Sequence, residues 1–257
     1  MEDKQRKYQA LVRKAKSSYL DFAPSYDGAK LVLYWYDDCK EINLWTYWQG
    51  RGCLDAKIML VGQDWGSPTD DSAAATMQQV HRANKNLPYQ YLENNPSITD
   101  KNLKYLFNVL GYDISEKQED LFFTNFILGY RYKGFSGGYS QAWAKHDKDF
   151  MKRLINIVSP KVVLCLGRAT FEGVLSSFAC QLSPKIKGYN AFIESTRNPV
   201  PVELEDGTVA YVFALAHCGA MGTLNRNRRK VKSDQKSKTN ADLSVQVTDW
   251  EKILPYL

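Results

Sequence analysis

The chain has 257 residues, a net charge of +6 at neutral pH, 44% hydrophobic and 24% charged residues, which excludes a disordered or fibrous chain and suffices to bury a core without cross-links. No run approaches the ~18 apolar residues of a membrane span, and Met1–Lys16 is charged and lacks the apolar stretch of a secretory signal. The expectation is an intracellular, cytoplasmic and nucleoid-associated protein with no membrane partner. The five cysteines are odd in number and irregularly spaced, which argues against a disulfide framework.

In chain order, Lys4–Tyr19 lacks Gly and Pro and spaces Tyr8, Leu11, Val12, Ala15 and Tyr19 as the apolar face of a helix. Leu31–Tyr36 is a short apolar run, a strand or an aromatic core segment. Lys57–Val61 is a buried-strand run that stops at Gly62. Thr99–Leu110 predicts a helix opened by a Thr or Asp cap and closed at Gly111. Asp120–Ile127 is strand-like, and Ser140–Val158 is a long helix ended by Pro160. Lys161–Leu166 is a further buried strand containing Cys165, read as a buried thiol, and Ala169–Phe178 follows as a helix. Thr208–Ala216 is a fourth strand, and Val247–Leu254 a last helix.

Strands alternate with helices, and the strands are near-continuous apolar runs, the pattern of a parallel sheet covered on both faces. The expected fold is a three-layer α/β/α domain around a central, mostly parallel four-stranded sheet. Residues 1–257 form one domain, with an N-terminal helical extension over about 1–50 and a basic loop over about 226–243. The basic residues gather in Lys4–Lys16 and in Arg226–Lys238, clusters that suit a polyphosphate or serve as solvated faces.

In open α/β sheets ligands bind beyond the carboxyl ends of the strands. There the chain places Gln63-Asp64, Asn125, Gly167-Arg168 and His217, so a carboxylate, an amide and an imidazole share one sheet edge. Each has a plainer role open to it. Asp64 suits a helix cap, Asn125 a bond to a neighbouring loop, and His217 a satisfied structural position.

These residues, in this order, resemble the uracil-DNA glycosylase superfamily. Gly62-Gln63-Asp64-Trp65-Gly66 stands at its first motif, and Asn125 in FFTNFILGYR at its base-reading position. PKVVLCLGRATFEGVL from Pro160 resembles a segment of its iron–sulfur branches, and HCGAMGTLNR from His217 its second motif. The resemblance spans roughly Lys57–Arg228 and implies that fold and a DNA glycosylase, hydrolysing the N-glycosidic bond of uracil or a modified pyrimidine flipped out of DNA.

It further implies Asp64 and His217 as catalytic residues, with Gln63 and Asn125 in the base pocket. Tyr89 or Trp65 would stack on the base, unless these are ordinary core residues. Met221 or Leu224 would wedge into the vacated stack, and Arg226, Arg228 and Arg229 would hold phosphates. Gly66 replaces the tyrosine that blocks the pyrimidine C5 position, which implies a roomier pocket. Cys39 and Cys53 are too far apart for the close cysteine pair of the iron–sulfur branches, so no cofactor is expected. Three histidines without HxxxH or CxxC spacing predict no metal site. The expected partner is DNA and the expected state a monomer. Two rivals remain: a nucleotide or nucleoside hydrolase on the same sheet, and a non-catalytic module that recognises modified or single-stranded DNA.

Overall fold

The computed structural model describes residues 2–21, 25–26, 29–32, 53–64, 98–116, 118–131, 138–228 and 242–257. Trp65, Gly66, Tyr89, Arg229, Cys39, the end of the Leu31–Tyr36 run and most of the basic loop lie outside them. The chain opens with helix α1 (Glu2–Asp21), strands β1 (Ser25–Tyr26), β2 (Ala29–Val32) and β3 (Ile58–Gly62), helix α2 (Ile98–Val109), and strands β4 (Leu121–Asn125) and β5 (Tyr130–Arg131). It continues through α3 (Gln141–Val158), β6 (Val162–Leu166), α4 (Arg168–Ser177), α5 (Tyr189–Glu194), β7 (Val200–Glu203), β8 (Val209–Leu215), α6 (Ala220–Asn227) and α7 (Ser244–Glu251). A 3₁₀ turn, Leu254–Tyr256, follows.

The main sheet has the order β4-β3-β6-β8-β7. Its first four strands run parallel and correspond to the four apolar runs. Every residue of β3, β4 and β6 is buried, because both faces are covered and successive side chains point to opposite sides. Met59, Val61, Phe122, Val163 and Cys165 join the core beneath α1, α3, α4 and α5. Ile58, Leu60, Leu121, Phe123, Val162 and Leu164 join the opposite core with Phe107 of α2 and Trp250 of α7. Phe107 and Trp250 meet edge to face, ring centroids 5.1 Å apart.

The sheet therefore has five strands, not four. The added strand, β7, lies antiparallel to β8 at the sheet edge. It buries only alternate residues and carries Pro201, which cannot donate to a ladder and is tolerated at an edge. Helix α2 begins at Ile98, so Thr99 and Asp100 lie within its first turn rather than capping it. Helix α7 begins three residues before the expected Val247. A second, small antiparallel sheet joins β1, β2 and β5.

Helix α1 docks on α3 through its predicted face, with Tyr8, Leu11, Val12, Ala15 and Tyr19 all buried. Lys4 of the N-terminal basic cluster donates to the carbonyls of Val158 and Leu54 and pairs with Asp55 at 3.0 Å, closing the C-terminus of α3. At the other end of α1 lies Asp147, a fully buried carboxylate. It accepts from the Tyr19 hydroxyl at 2.6 Å and from the Leu128 amide at 2.8 Å. Its other oxygen lies 2.6 Å from His146 Nδ1, and His146 Nε2 lies 2.7 Å from Ser18 Oγ. Burial, reinforced by the Asp147 charge, raises the Tyr19 pKa and keeps the phenol a donor. This network anchors α1 to the segment that follows Asn125.

Candidate functional site at the carboxyl edge of the sheet

Parallel register brings the candidate residues to one margin. Gly62 ends β3 opposite Asn125 at the end of β4. The ladder continues past both, with the Phe126 amide donating to the Gly62 carbonyl at 2.8 Å and the Ile127 amide to that of Gln63 at 3.0 Å. Leu166 ends β6 opposite Leu215 of β8, and the Gly167 amide donates to the Leu215 carbonyl at 2.8 Å. Gln63-Asp64, Asn125, Gly167-Arg168 and His217 thus leave the sheet at the same end. From β4 to β8 is three strand spacings, about 14 Å at ~4.8 Å each.

Asn125 is completely buried. Its amide oxygen and nitrogen have no hydrogen-bond partner among the described residues. A β-carbon at Gly62 would collide with Asn125 Oδ1, so glycine at that position makes the space the amide occupies. A buried amide with neither end bonded is costly, about 1–3 kcal/mol. In a folded protein such a group calls for an explanation, and a ligand edge offering one acceptor and one donor supplies it.

His217 leaves β8 just before α6 and is open to solvent. The protein crowded around it nevertheless removes enough water to lower its pKa below the ordinary 6.5, while the charge on Asp64 acts in the opposite direction. The Gly219 amide donates to His217 Nδ1 at 2.9 Å. A nitrogen that accepts carries no proton, so the neutral ring bears its hydrogen on Nε2. The turn is tight. A β-carbon on Gly222 would collide with the His217 carbonyl, and one on Gly219 would stand 2.9 Å from Thr99 Oγ1. Cys218 points away and is buried in the α2–α7 core, where it serves as a small hydrophobe.

Asp64 is partly exposed and accepts from Gln63 Nε2 at 2.8 Å. Tyr139 joins this region unforeseen. Its ring lies 5.4 Å from that of Phe126 and its hydroxyl donates to the Ala169 carbonyl. Burial raises its pKa, and the carboxylates of Glu172 and Asp64 add to the effect. Two other groups had no sequence signal. Asn102 of α2 and Gln246 of α7 are polar residues turned inward on the buried faces of their helices, and both bond the backbone around His217.

Met221 is 64% exposed at the start of α6, beside His217. Leu224 is half-buried and Arg228 is exposed. Arg226 differs from expectation. It is buried, and its guanidinium grips Asp249 through two bonds, Nε at 2.6 Å and Nη2 at 2.8 Å, with Glu194 on Nη1 at 2.7 Å. Three of its five N–H donors are taken inside the protein and the side chain is buried, so the pair locks α6 to α7 and α5 rather than facing a phosphate. Among the described residues no three His, Cys, Asp or Glu side chains gather to hold a metal ion, and no helix is long and apolar enough to cross a membrane. Cys53, Cys165, Cys180 and Cys218 are free thiols. No protein-family model matches the chain, and no curated protein matches it.

Proposed function

We propose that the chain is a DNA glycosylase that flips a pyrimidine out of DNA and hydrolyses its N-glycosidic bond, leaving an abasic site. The observation that carries this reading is the Asn125 amide. It is buried at the carboxyl edge with donor and acceptor both unmet among the described residues, on the strand next to the one that leads to Asp64 and at the same sheet edge as His217. An amide so placed reads a base edge that offers one acceptor and one donor, as the imide edge of uracil does.

The chemistry needs two charges balanced. As the bond from the sugar to the base lengthens, positive charge grows on the sugar and negative charge on the base. Asp64 is the carboxylate that faces the sugar, stabilises the cationic side and orients the attacking water. His217 faces the base carbonyl. Because Gly219 holds Nδ1 as an acceptor, the neutral ring presents Nε2–H to the oxygen that becomes anionic, a hydrogen bond without full proton transfer. Each such electrostatic contact is worth roughly 2.7–4 kcal/mol. Met221, exposed at the rim, is the wedge that fills the vacated stack, and Arg228 a phosphate contact.

The test is a panel of oligonucleotides, single- and double-stranded, carrying uracil, thymine opposite guanine, hypoxanthine or bulky C5-substituted pyrimidines. The reading predicts alkali-labile sites at one or more of the pyrimidines. Cleavage of free nucleosides with none of polymer substrates would favour a nucleoside hydrolase, and binding without base release a recognition module.

A further inference from the structure

We infer that Asn102, Thr223 and Gln246 are positioning residues for His217, clamping the turn after β8 so that the imidazole keeps its proton on Nε2; this rests on the reading of His217 as the group that bonds the departing base. Three consecutive carbonyls in that turn, those of Ala216, His217 and Cys218, are held by two buried side-chain amides from helices distant in sequence. Gln246 Nε2 lies 3.4 Å from both the Ala216 and the His217 oxygens. Asn102 Nδ2 donates to the Cys218 oxygen at 2.6 Å.

The orientation of the Gln246 amide is itself set. The Thr223 hydroxyl donates to Gln246 Oε1 at 2.9 Å, so the nitrogen end faces the carbonyls. All three side chains are at least 95% buried, which removes water as a competing partner and makes each bond costly to break. Their positions are coupled, because Thr223 stands on α6 and Gln246 on α7, and the Arg226–Asp249 pair joins the same two helices.

The consequence falls on the next residue. Gly219 follows the clamped carbonyls directly, and its amide is the donor that keeps His217 Nδ1 unprotonated. If the carbonyls are released, that amide loses its fixed direction and the proton becomes free to move to Nδ1. Nε2 then becomes an acceptor, which repels the base oxygen it should bind. The C-terminal helix is on this account part of the working site and not a cover for the sheet.

The experiment is nitrogen-15 NMR of the His217 imidazole in the full-length protein near neutral pH. Wild type should show one tautomer, with Nδ1 as acceptor and Nε2 protonated. Gln246→Ala, Asn102→Ala and the near-isosteric Thr223→Val should each show averaged nitrogen shifts, and single-turnover base release should fall about tenfold to hundredfold with DNA affinity retained. Should Gln246→Ala not fold, Thr223→Val decides. A single Nε2–H tautomer persisting in the folded variants overturns the inference. Averaged shifts in the variants, combined with a wild type that releases no base from any substrate, would leave the clamp standing and remove the glycosylase reading instead.

Discussion

Replacing Asn125 with leucine should make the free protein more stable and remove its function. The two side chains share a branching pattern and differ chiefly in polarity. Asn125 is completely buried with both amide ends unbonded among the described residues. Removing that amide relieves an unmet polar group, about 2 kcal/mol within the usual 1–3. For a chain of this length that corresponds to a rise in Tm of roughly 4–8 °C. Thermal unfolding followed by circular dichroism measures it on free protein. Base release should meanwhile fall at least about a hundredfold, because a hydrocarbon cannot satisfy the donor and acceptor of the base edge. A variant that unfolds at lower temperature than wild type and still releases base would show that the amide is a structural partner, and the reading of Asn125 as a base reader would be refuted.

The lowered pKa of His217 has a defined sign. Its folded pKa lies below the ordinary 6.5, so the stability it contributes is complete above pH 6.5 and declines as pH falls from there through the folded value. The same depression favours the neutral ring, and the acid limb of single-turnover base release should have its midpoint below pH 6.5. A midpoint above 6.5 would contradict the assignment. Arg226→Ala should cost about 3–5 kcal/mol in chemical denaturation by stranding the buried Asp249. It should leave the salt dependence of DNA binding unchanged where the protein remains folded. Arg228→Ala should do the opposite, sparing stability and reducing the slope of log K against log salt by about 0.9. Equal slopes for wild type and Arg228→Ala would remove that contact.

The core strands were readable because they are buried on both faces. Ile58 to Val61 and Val162 to Leu166 are apolar at every position, so their runs stood out, and their ends lead to Asp64 and to Gly167-Arg168. Strand β7 was not readable, since it has four residues, faces solvent with half of them and contains Pro201. Helix α5 has six residues, too few for a helical period to show. The burial of Arg226 was not readable for a different reason. This residue heads a run of basic residues that resembles a solvated surface, and its burial depends on Asp249 and Glu194, which belong to other helices. The partners of Asn102 and Gln246 are likewise backbone carbonyls from a remote turn, a contact that no local pattern encodes.

The glycosylase account stands most directly on Asp64. Single-turnover base release and DNA affinity should be measured side by side for wild type and Asp64→Asn, a change that keeps shape and removes charge. The account predicts that release is abolished while affinity for the same oligonucleotide is largely kept. Release by Asp64→Asn at the wild-type rate would contradict it.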